Sequence, residues 1–101
     1  ASANIGQEVG VFEPTHGSAP KYADLVPSIV NPIAMVLSAV RMLDWLGETE
    51  TASRIRSAVA AVIADGRVRC YDMLKLRGGP EAISQGAATT TQMTDAIIAA
   101  L

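Results

Sequence analysis

The chain has 101 residues, of which 50% are hydrophobic and 18% charged, with 8 lysines and arginines against 10 aspartates and glutamates. This length suits one domain with a modest core and is too short for two. The near-neutral balance excludes a strongly basic nucleic-acid or membrane-surface binder, and the apolar content excludes a disordered chain. The single cysteine, Cys70, excludes an internal disulfide and a multi-cysteine zinc site, and it slightly favours a reducing compartment.

Neither a membrane span nor a secretion signal is visible in the sequence. No run approaches the roughly 18 apolar residues that cross a bilayer. The first residues, Ala1-Ser2-Ala3-Asn4, lack the basic and apolar regions of a signal peptide and also lack an initiator Met. We therefore expect a cytoplasmic protein with no membrane partner, and a chain that starts within a longer protein.

The first half of the chain predicts a short strand, a long loop and a helix. Residues 9–13 have the apolar character of a strand, which Pro14 ends. Residues 14–32 hold four prolines and the only histidine, so they predict a loop. Asn31-Pro32 then predicts a helix start, because Asn caps well and Pro is favoured in the first turn. The apolar stripe of this helix is Ile33, Val36, Leu37, Val40, Leu43 and Leu46.

Gly47 is expected to end this helix, and a second helix is predicted over residues 48–64, closed by Gly66. The short link predicts that the two helices are antiparallel neighbours. The apolar stripe of the second helix is Ala52, Ile55, Val59, Val62 and Ile63.

Residues 67–77 predict a strand or an irregular segment, and Gly78-Gly79-Pro80 predicts a break. Thr89 and Gln92 have the spacing of a capping box, which predicts a last helix running to Leu101. The expected fold is therefore a single α/β segment over residues 1–101, with one or two short strands, two antiparallel helices and a terminal helix. We expect it to leave apolar surface exposed.

The loop from Glu13 to Tyr22 carries the residues best suited to ligand binding. Gly17 allows close approach of the backbone, and loop N–H groups and the Ser18 hydroxyl can bind phosphate. Lys21 and Tyr22 add a cation and a phenol that suit an anionic or sugar-phosphate ligand. From spacing alone, a proline-rich connecting loop with a surface histidine is an equally good interpretation.

Two other features have both a chemical and a structural interpretation. Cys70 beside Arg69 could be a reactive thiol with a lowered pKa, but such a cysteine more often packs as a small apolar residue. The basic residues between positions 67 and 77 could bind phosphate, but a solvated surface is the more usual interpretation. They are Arg67, Arg69, Lys75 and Arg77.

Several sequence segments together carry a family resemblance. The main one is Phe12-Glu13-Pro14-Thr15-His16-Gly17-Ser18-Ala19-Pro20-Lys21-Tyr22-Ala23, and the others are residues 3–6, 31–32, 37–39, 42–43, 45–47, 71–72 and 89–98. In these segments the chain closely resembles the isocitrate/isopropylmalate dehydrogenase family, the β-decarboxylating dehydrogenases of 2-hydroxy acids. Because members of the family are much longer, the resemblance implies the C-terminal part of a large cofactor-binding domain.

The resemblance implies that the Glu13–Tyr22 loop wraps the adenosine half of NAD(P). His16 would lie against the adenine and its ribose, and Asn31 would meet the adenine edge. Glu13 would lie toward the nicotinamide ribose. The phosphate side would be lined by Gly17, Ser18 and Ala19.

The resemblance also implies a preference for NADP over NAD. NADP carries an additional ribose phosphate, which cations and hydroxyl donors favour and a carboxylate disfavours. NAD-using relatives typically have Asp where this chain has Lys21, followed by a small apolar residue where it has Tyr22. Tyr71, Asp72 and Lys75 also fit the Tyr-Asp and basic-residue pattern of NADP-dependent isocitrate dehydrogenases, with Lys in place of the more usual Arg.

No residue of this chain matches the family's catalytic or metal-binding positions, which lie upstream. The chain alone is therefore expected to be inactive. The resemblance also implies that the intact enzyme is a homodimer that needs Mg²⁺ or Mn²⁺. Isocitrate is the first expectation for the substrate, with isopropylmalate, homoisocitrate or tartrate as alternatives. A non-catalytic family subunit, a proteolytic fragment and a helical interaction module remain as further alternatives.

Overall fold

Residues 1–17 and 20–101, which the computed structural model describes, form two strands, three α-helices and two short 3₁₀ turns. The strands are β1 (Ser2–Ile5) and β2 (Gly10–Glu13), and the 3₁₀ turns are Pro20–Tyr22 and Pro80–Ala82. The helices are α1 (Ile33–Trp45), α2 (Thr49–Asp65) and α3 (Thr90–Ala99). The expected fold class is confirmed.

The two strands form an antiparallel hairpin. Ser2 lies opposite Glu13 and Ile5 opposite Gly10, and the N–H of Gly6 donates to the Val9 carbonyl at 2.7 Å to close the turn. Phe12 turns toward the helices, and its ring lies 5.8 Å from that of Trp45 at the end of α1. The hairpin is therefore held on α1 by an aromatic contact.

Helices α1 and α2 begin and end within one residue of where the sequence predicts, since α2 was expected over residues 48–64. Asn31 Oδ1 accepts a hydrogen bond from the Ile33 N–H at 3.0 Å and so caps α1. Gly47 has a left-handed φ of 86°, and the N–H of Glu48 donates to the Leu43 carbonyl at 2.8 Å. This is the hydrogen-bond pattern of a Schellman motif, so α2 turns back against α1.

Helix α3 begins with the predicted capping box. The Gln92 N–H donates to the Thr89 hydroxyl at 3.0 Å, and the Gln92 side-chain oxygen accepts from the Thr89 N–H at 2.9 Å. The helix ends at Ala99, two residues before the predicted end, with Ala100 as its C-cap.

The core lies where α2 and α3 meet the segment around Cys70. Its buried members are Ala58, Val59, Val62, Cys70, Met93 and Ile97, and the start of α1 packs against them. The predicted core positions Leu46 and Ile63 are wrong, since they are 58% and 48% exposed. Leu46 is the C-cap, beyond the regular turns of α1, and Ile63 points about 100° away from buried Val62.

Apolar side chains also remain outside this core, as expected. Val9 and Val11 are exposed on the hairpin, and Met35, Met42 and Leu46 are exposed on or beside α1. Together they exceed the scattered exposure usual in a monomer and predict a surface that packs against further protein. Within the described residues, no helix combines the length and apolar character that a bilayer span requires.

Candidate functional site

Two segments far apart in the sequence meet at one end of the helices: the loop of residues 20–31 and the turn of residues 70–78. The first residue of α3 holds the loop, because the Thr90 N–H donates to the Ser28 carbonyl at 2.9 Å. The Thr90 hydroxyl also donates to the Val30 carbonyl. Ile29, between them, is fully buried. The fold therefore fixes the approach of the loop to Asn31.

The second segment is a tight turn that begins in the core. The N–H groups of Met73 and Leu74 donate to the Cys70 carbonyl, and the Leu76 N–H donates to the Tyr71 carbonyl at 2.9 Å. Lys75 closes the turn with a φ of 58°. This is the left-handed region, which costs a residue with a Cβ about 1–2 kcal/mol. Of the two predicted alternatives for residues 67–77, the irregular one is confirmed.

Three predicted site residues from the two segments form what we call the tyrosine cluster: Lys21, Tyr22 and Tyr71. The rings of Tyr22 and Tyr71 meet edge to face with centroids 5.8 Å apart. The Lys21 ammonium lies 4.9 Å from the centre of the Tyr22 ring. Burial and the neighbouring Tyr22 side chain raise the pKa of Tyr71, so its hydroxyl stays protonated and able to donate.

A second link joins Asn31 to the same turn. The Asn31 side-chain amide donates to both carboxylate oxygens of Asp72, at 3.4 and 3.3 Å. Since Asn31 Oδ1 caps α1, both ends of the amide group have partners and its orientation is fixed. The sequence pattern included Asp72 beside Tyr71 but did not reveal this role, because its partner lies 41 residues away.

The other predicted site residues are exposed or fall outside the described part of the chain. Glu13 ends β2, and the Nδ1 of His16 lies 2.8 Å from the carbonyl of Gly17. Among the residues that the structure describes, no hydrogen bond, ion pair or ring contact ties Glu13 or His16 to the tyrosine cluster. The predictions for Ser18 and Ala19 fall outside residues 1–17 and 20–101.

The surroundings of Cys70 favour its interpretation as a packed apolar residue over a reactive thiol. Cys70 is fully buried in the core, and burial, followed by the nearby charge of Asp72, raises the pKa of its thiol to about 11. Among the neighbouring basic residues, Arg67 pairs with Asp65 at 2.7 Å on an exposed surface. Arg67 therefore belongs to a solvated ion pair.

Neither the cavity between α2 and α3 nor the acidic residues suggest another centre of chemistry. A cavity of about 540 Å³ lies between the end of α2 and α3, and its lining is largely alanine and valine, including Ala61, Val62, Val68 and Ala96. In residues 1–17 and 20–101, no group of three His, Cys, Asp or Glu side chains converges as metal ligands do.

The tyrosine cluster and its surroundings suit an anion attached to a planar ring system. Lys21 supplies positive charge, and the tyrosine hydroxyls supply hydrogen-bond donors. Asn31 presents an amide whose position is set by its two partners. A cation, hydroxyls and an amide from two segments can hold an anion by charge and hydrogen bonds.

Comparison with known proteins matches nearly the whole chain to one family. Residues 1–97 match the sequence model of the family described as isocitrate/isopropylmalate dehydrogenase. Isocitrate dehydrogenase [NADP] of Thermus thermophilus is 45% identical over 97 residues, which are 96% of this chain and 18% of that protein. The 3-isopropylmalate/3-methylmalate dehydrogenase of Methanocaldococcus jannaschii is 54% identical over 65 residues, which are 64% of this chain and 19% of that protein.

The fold is also similar to that of a solved structure. The crystal structure of isocitrate dehydrogenase from Methylococcus capsulatus superposes with a TM-score of 0.81 at 40% identity, covering 97% of this chain and 26% of that one. The chain therefore spans about a fifth to a quarter of the length of the proteins that it resembles.

Proposed function

The chain belongs to the isocitrate/isopropylmalate dehydrogenase family, and from this premise we infer that it is the C-terminal, adenosine-binding part of an NADP-dependent oxidative decarboxylase. The substrate of the intact enzyme is a 2-hydroxy acid, with isocitrate, converted to 2-oxoglutarate and CO₂, as the first choice. The relative named isocitrate dehydrogenase [NADP], which matches 96% of the chain, supports that choice.

The observation that carries the coenzyme assignment is the ring contact of Tyr22 with Tyr71, two residues far apart in the sequence, with Lys21 over the ring of Tyr22. NADP differs from NAD by a phosphate on the adenosine ribose, with up to two negative charges. A lysine and two phenols brought together by the fold suit that phosphate. Lys75 supplies a second cation from the turn that holds Tyr71.

The residues of this chain bind and orient the coenzyme. Lys21 and Lys75 neutralise the ribose phosphate, and Tyr22 and Tyr71 donate hydrogen bonds to it. Asn31, held by Asp72, meets the adenine edge. His16 lies against the adenine and its ribose, and Glu13 lies toward the nicotinamide ribose. The phosphate side is lined by Gly17, Ser18 and Ala19. The bound coenzyme supplies the hydride acceptor.

Catalysis and metal binding belong to residues outside this segment. The exposed apolar side chains of β2 and α1 support packing against further protein, and relatives four to five times longer supply a precedent. On the family resemblance alone, the intact enzyme is a cytoplasmic homodimer that works with Mg²⁺ or Mn²⁺ held by upstream residues.

The test is steady-state kinetics of the full-length enzyme that contains this segment. We expect kcat/KM to be highest for isocitrate with NADP, and we expect no turnover by the 101-residue chain alone. Preference for NAD contradicts the coenzyme assignment. Preference for isopropylmalate overturns only the choice of substrate, and turnover by the isolated chain contradicts the placement of catalysis upstream.

The second candidate is an isopropylmalate dehydrogenase, favoured by the 54% identity over 65 residues to the enzyme of Methanocaldococcus jannaschii. Homoisocitrate and tartrate are further substrates of the same chemical class. A non-catalytic family subunit is the remaining alternative. It predicts that the full-length protein binds NADP weakly or not at all and turns over none of these acids.

A further inference from the structure

We infer that Gly78 is a positioning residue for coenzyme choice, because the space left by its missing side chain is where the Tyr22 ring lies against Tyr71. This inference rests on the proposed role of Tyr22 in binding the ribose phosphate. Gly78 acts through the position of the Tyr22 ring and not through a contact of its own with the coenzyme.

The steric relation between Gly78 and Tyr22 is direct. A Cβ built on Gly78 would lie 2.7 Å from Cζ and 3.0 Å from Cε1 of Tyr22, and closer still to the hydroxyl oxygen. Carbon atoms that are not bonded pack at about 3.5–4.0 Å, so a side chain at position 78 and the ring in its present place exclude each other. The φ of Gly78 lies outside the left-handed region, so the backbone itself accepts alanine.

The Tyr22 ring cannot move aside without changing the site. Its other neighbours are the Tyr71 ring at 5.8 Å and the Lys21 ammonium at 4.9 Å. An aromatic ring is rigid and turns only about its first two side-chain bonds, so relief of the clash shifts the hydroxyl as well. The Tyr22 hydroxyl then changes its position relative to the Lys21 ammonium and the Tyr71 ring.

Gly79 provides a matched comparison. A Cβ built there approaches a side-chain oxygen of Glu81 at 2.7 Å, but that contact is with the far end of an exposed, flexible side chain. Glu81 can move into solvent without consequence for the cluster. Gly79→Ala therefore makes the same glycine-to-alanine change at the next position without displacing the Tyr22 ring.

The experiment measures binding of NADP and NAD to the full-length enzyme by calorimetry, together with steady-state kinetics. We expect Gly78→Ala to raise the Kd ratio of NADP to NAD at least fivefold and to act mainly on the KM for NADP rather than on kcat. Gly79→Ala should leave the ratio within twofold of the wild type. An unchanged ratio in Gly78→Ala overturns the inference.

A double-mutant cycle separates this inference from the proposed function. Tyr22→Ala vacates the space, so adding Gly78→Ala in that background should change the Kd ratio by less than twofold. If Tyr22→Ala alone leaves the ratio unchanged, the role of Tyr22 is wrong. If Tyr22→Ala lowers NADP preference and Gly78→Ala does not, only the role of Gly78 is wrong.

The ligand-free protein gives a readout that is independent of the coenzyme. In nuclear magnetic resonance spectra, the ring of Tyr22 should show a cross-relaxation contact to the α-protons of Gly78, and this contact should disappear when Gly78→Ala displaces the ring. If Gly78→Ala fails to fold, the Tyr22→Ala background should restore folding. Failure of that rescue contradicts the steric account.

Discussion

The helical core and the tyrosine cluster meet at Cys70 and Tyr71, but different interactions hold them together. The core is made of buried apolar groups, such as Val59, Met93 and Ile97, that pack without polar partners. The tyrosine cluster consists of exposed or half-buried polar side chains, joined by ring contacts and, nearby, by hydrogen bonds of 3.3–3.4 Å. The boundary lies within two residues, since Cys70 is in the core and Tyr71 is in the cluster.

This difference separates what holds the fold together from what selects the ligand. Burial of apolar surface is worth about 25 cal/mol per Å², whereas exposed polar contacts add little to stability. The core should therefore set the free energy of unfolding. The tyrosine cluster should set the choice of coenzyme, and its residues can change without loss of the fold.

The largest expected effect is on the core side. Met93 is fully buried, so Met93→Ala should lower the free energy of unfolding of the chain by about 2–5 kcal/mol through lost burial and a cavity. Chemical denaturation measures this. Met35→Ala is the matched control, since Met35 is 60% exposed and should cost about 0.5 kcal/mol or less. Equal costs at the two positions would contradict the assignment of the core.

The next effect appears at high pH and concerns the boundary residue. The buried Cys70 thiol has its pKa raised from 9.0 to about 11, so the unfolded chain loses this proton first. The resulting stability is fully present below pH 9 and is lost as pH rises through 11. Two pKa units correspond to about 3 kcal/mol.

Denaturant titrations from pH 8 to pH 11.5 test this, with Cys70→Ala as the reference. We expect the variant to show a shallower decline, with the remaining slope due in part to Tyr71, whose pKa is also raised by burial. Parallel curves for the two proteins would mean that the thiol is not buried in solution.

The comparison also explains which features could be predicted from the sequence. Helix limits depend on neighbouring residues, and the caps at Asn31, Gly66 and Thr89 were therefore predictable. Strand β1 has a weaker local pattern, because it is defined by pairing with β2. Leu46 and Ile63 follow helical periodicity and yet are exposed, since periodicity does not show that Leu46 is the C-cap or that the buried face of α2 is centred on Val62.

The tyrosine cluster was only partly predictable for the same physical reason. Its residue types suggested an anion site, and family resemblance grouped Lys21 and Tyr22 with Tyr71. The contact between Asn31 and Asp72 and the space at Gly78 depend on long-range packing. Gly78-Gly79-Pro80 indicated only a break, because nothing in that triplet shows that Gly78 packs against Tyr22, which is far away in the sequence.

The third prediction changes the tyrosine cluster without changing the core. Lys21→Asp with Tyr22→Ile in the full-length enzyme should reduce the efficiency with NADP relative to NAD at least tenfold, or about 1.4 kcal/mol. The free energy of unfolding should fall by about 1 kcal/mol, because Lys21 is exposed and Tyr22 loses only its ring contact with Tyr71.

Arg54→Asp is the control for net charge, because it makes the same charge change on an exposed position of α2. We expect this variant to leave the NADP to NAD ratio within twofold of the wild type. A comparable loss of NADP preference in Arg54→Asp would mean that overall charge, and not the tyrosine cluster, selects the coenzyme.

The smallest effect is expected at Lys75, whose backbone conformation lowers stability while its charge favours NADP. Its φ of 58° costs about 1–2 kcal/mol for a residue with a Cβ, and glycine avoids this cost but gains freedom in the unfolded chain. Lys75→Gly should therefore stabilise the protein by about 0.5–1 kcal/mol while lowering its preference for NADP. Lys75→Asn separates the two effects, because asparagine tolerates the left-handed region without the charge. Thermal unfolding and coenzyme kinetics of both variants measure these two effects.

If Lys75→Gly is destabilising, the turn does not hold Lys75 under strain. If both variants keep the NADP preference, the lysine does not contact the phosphate.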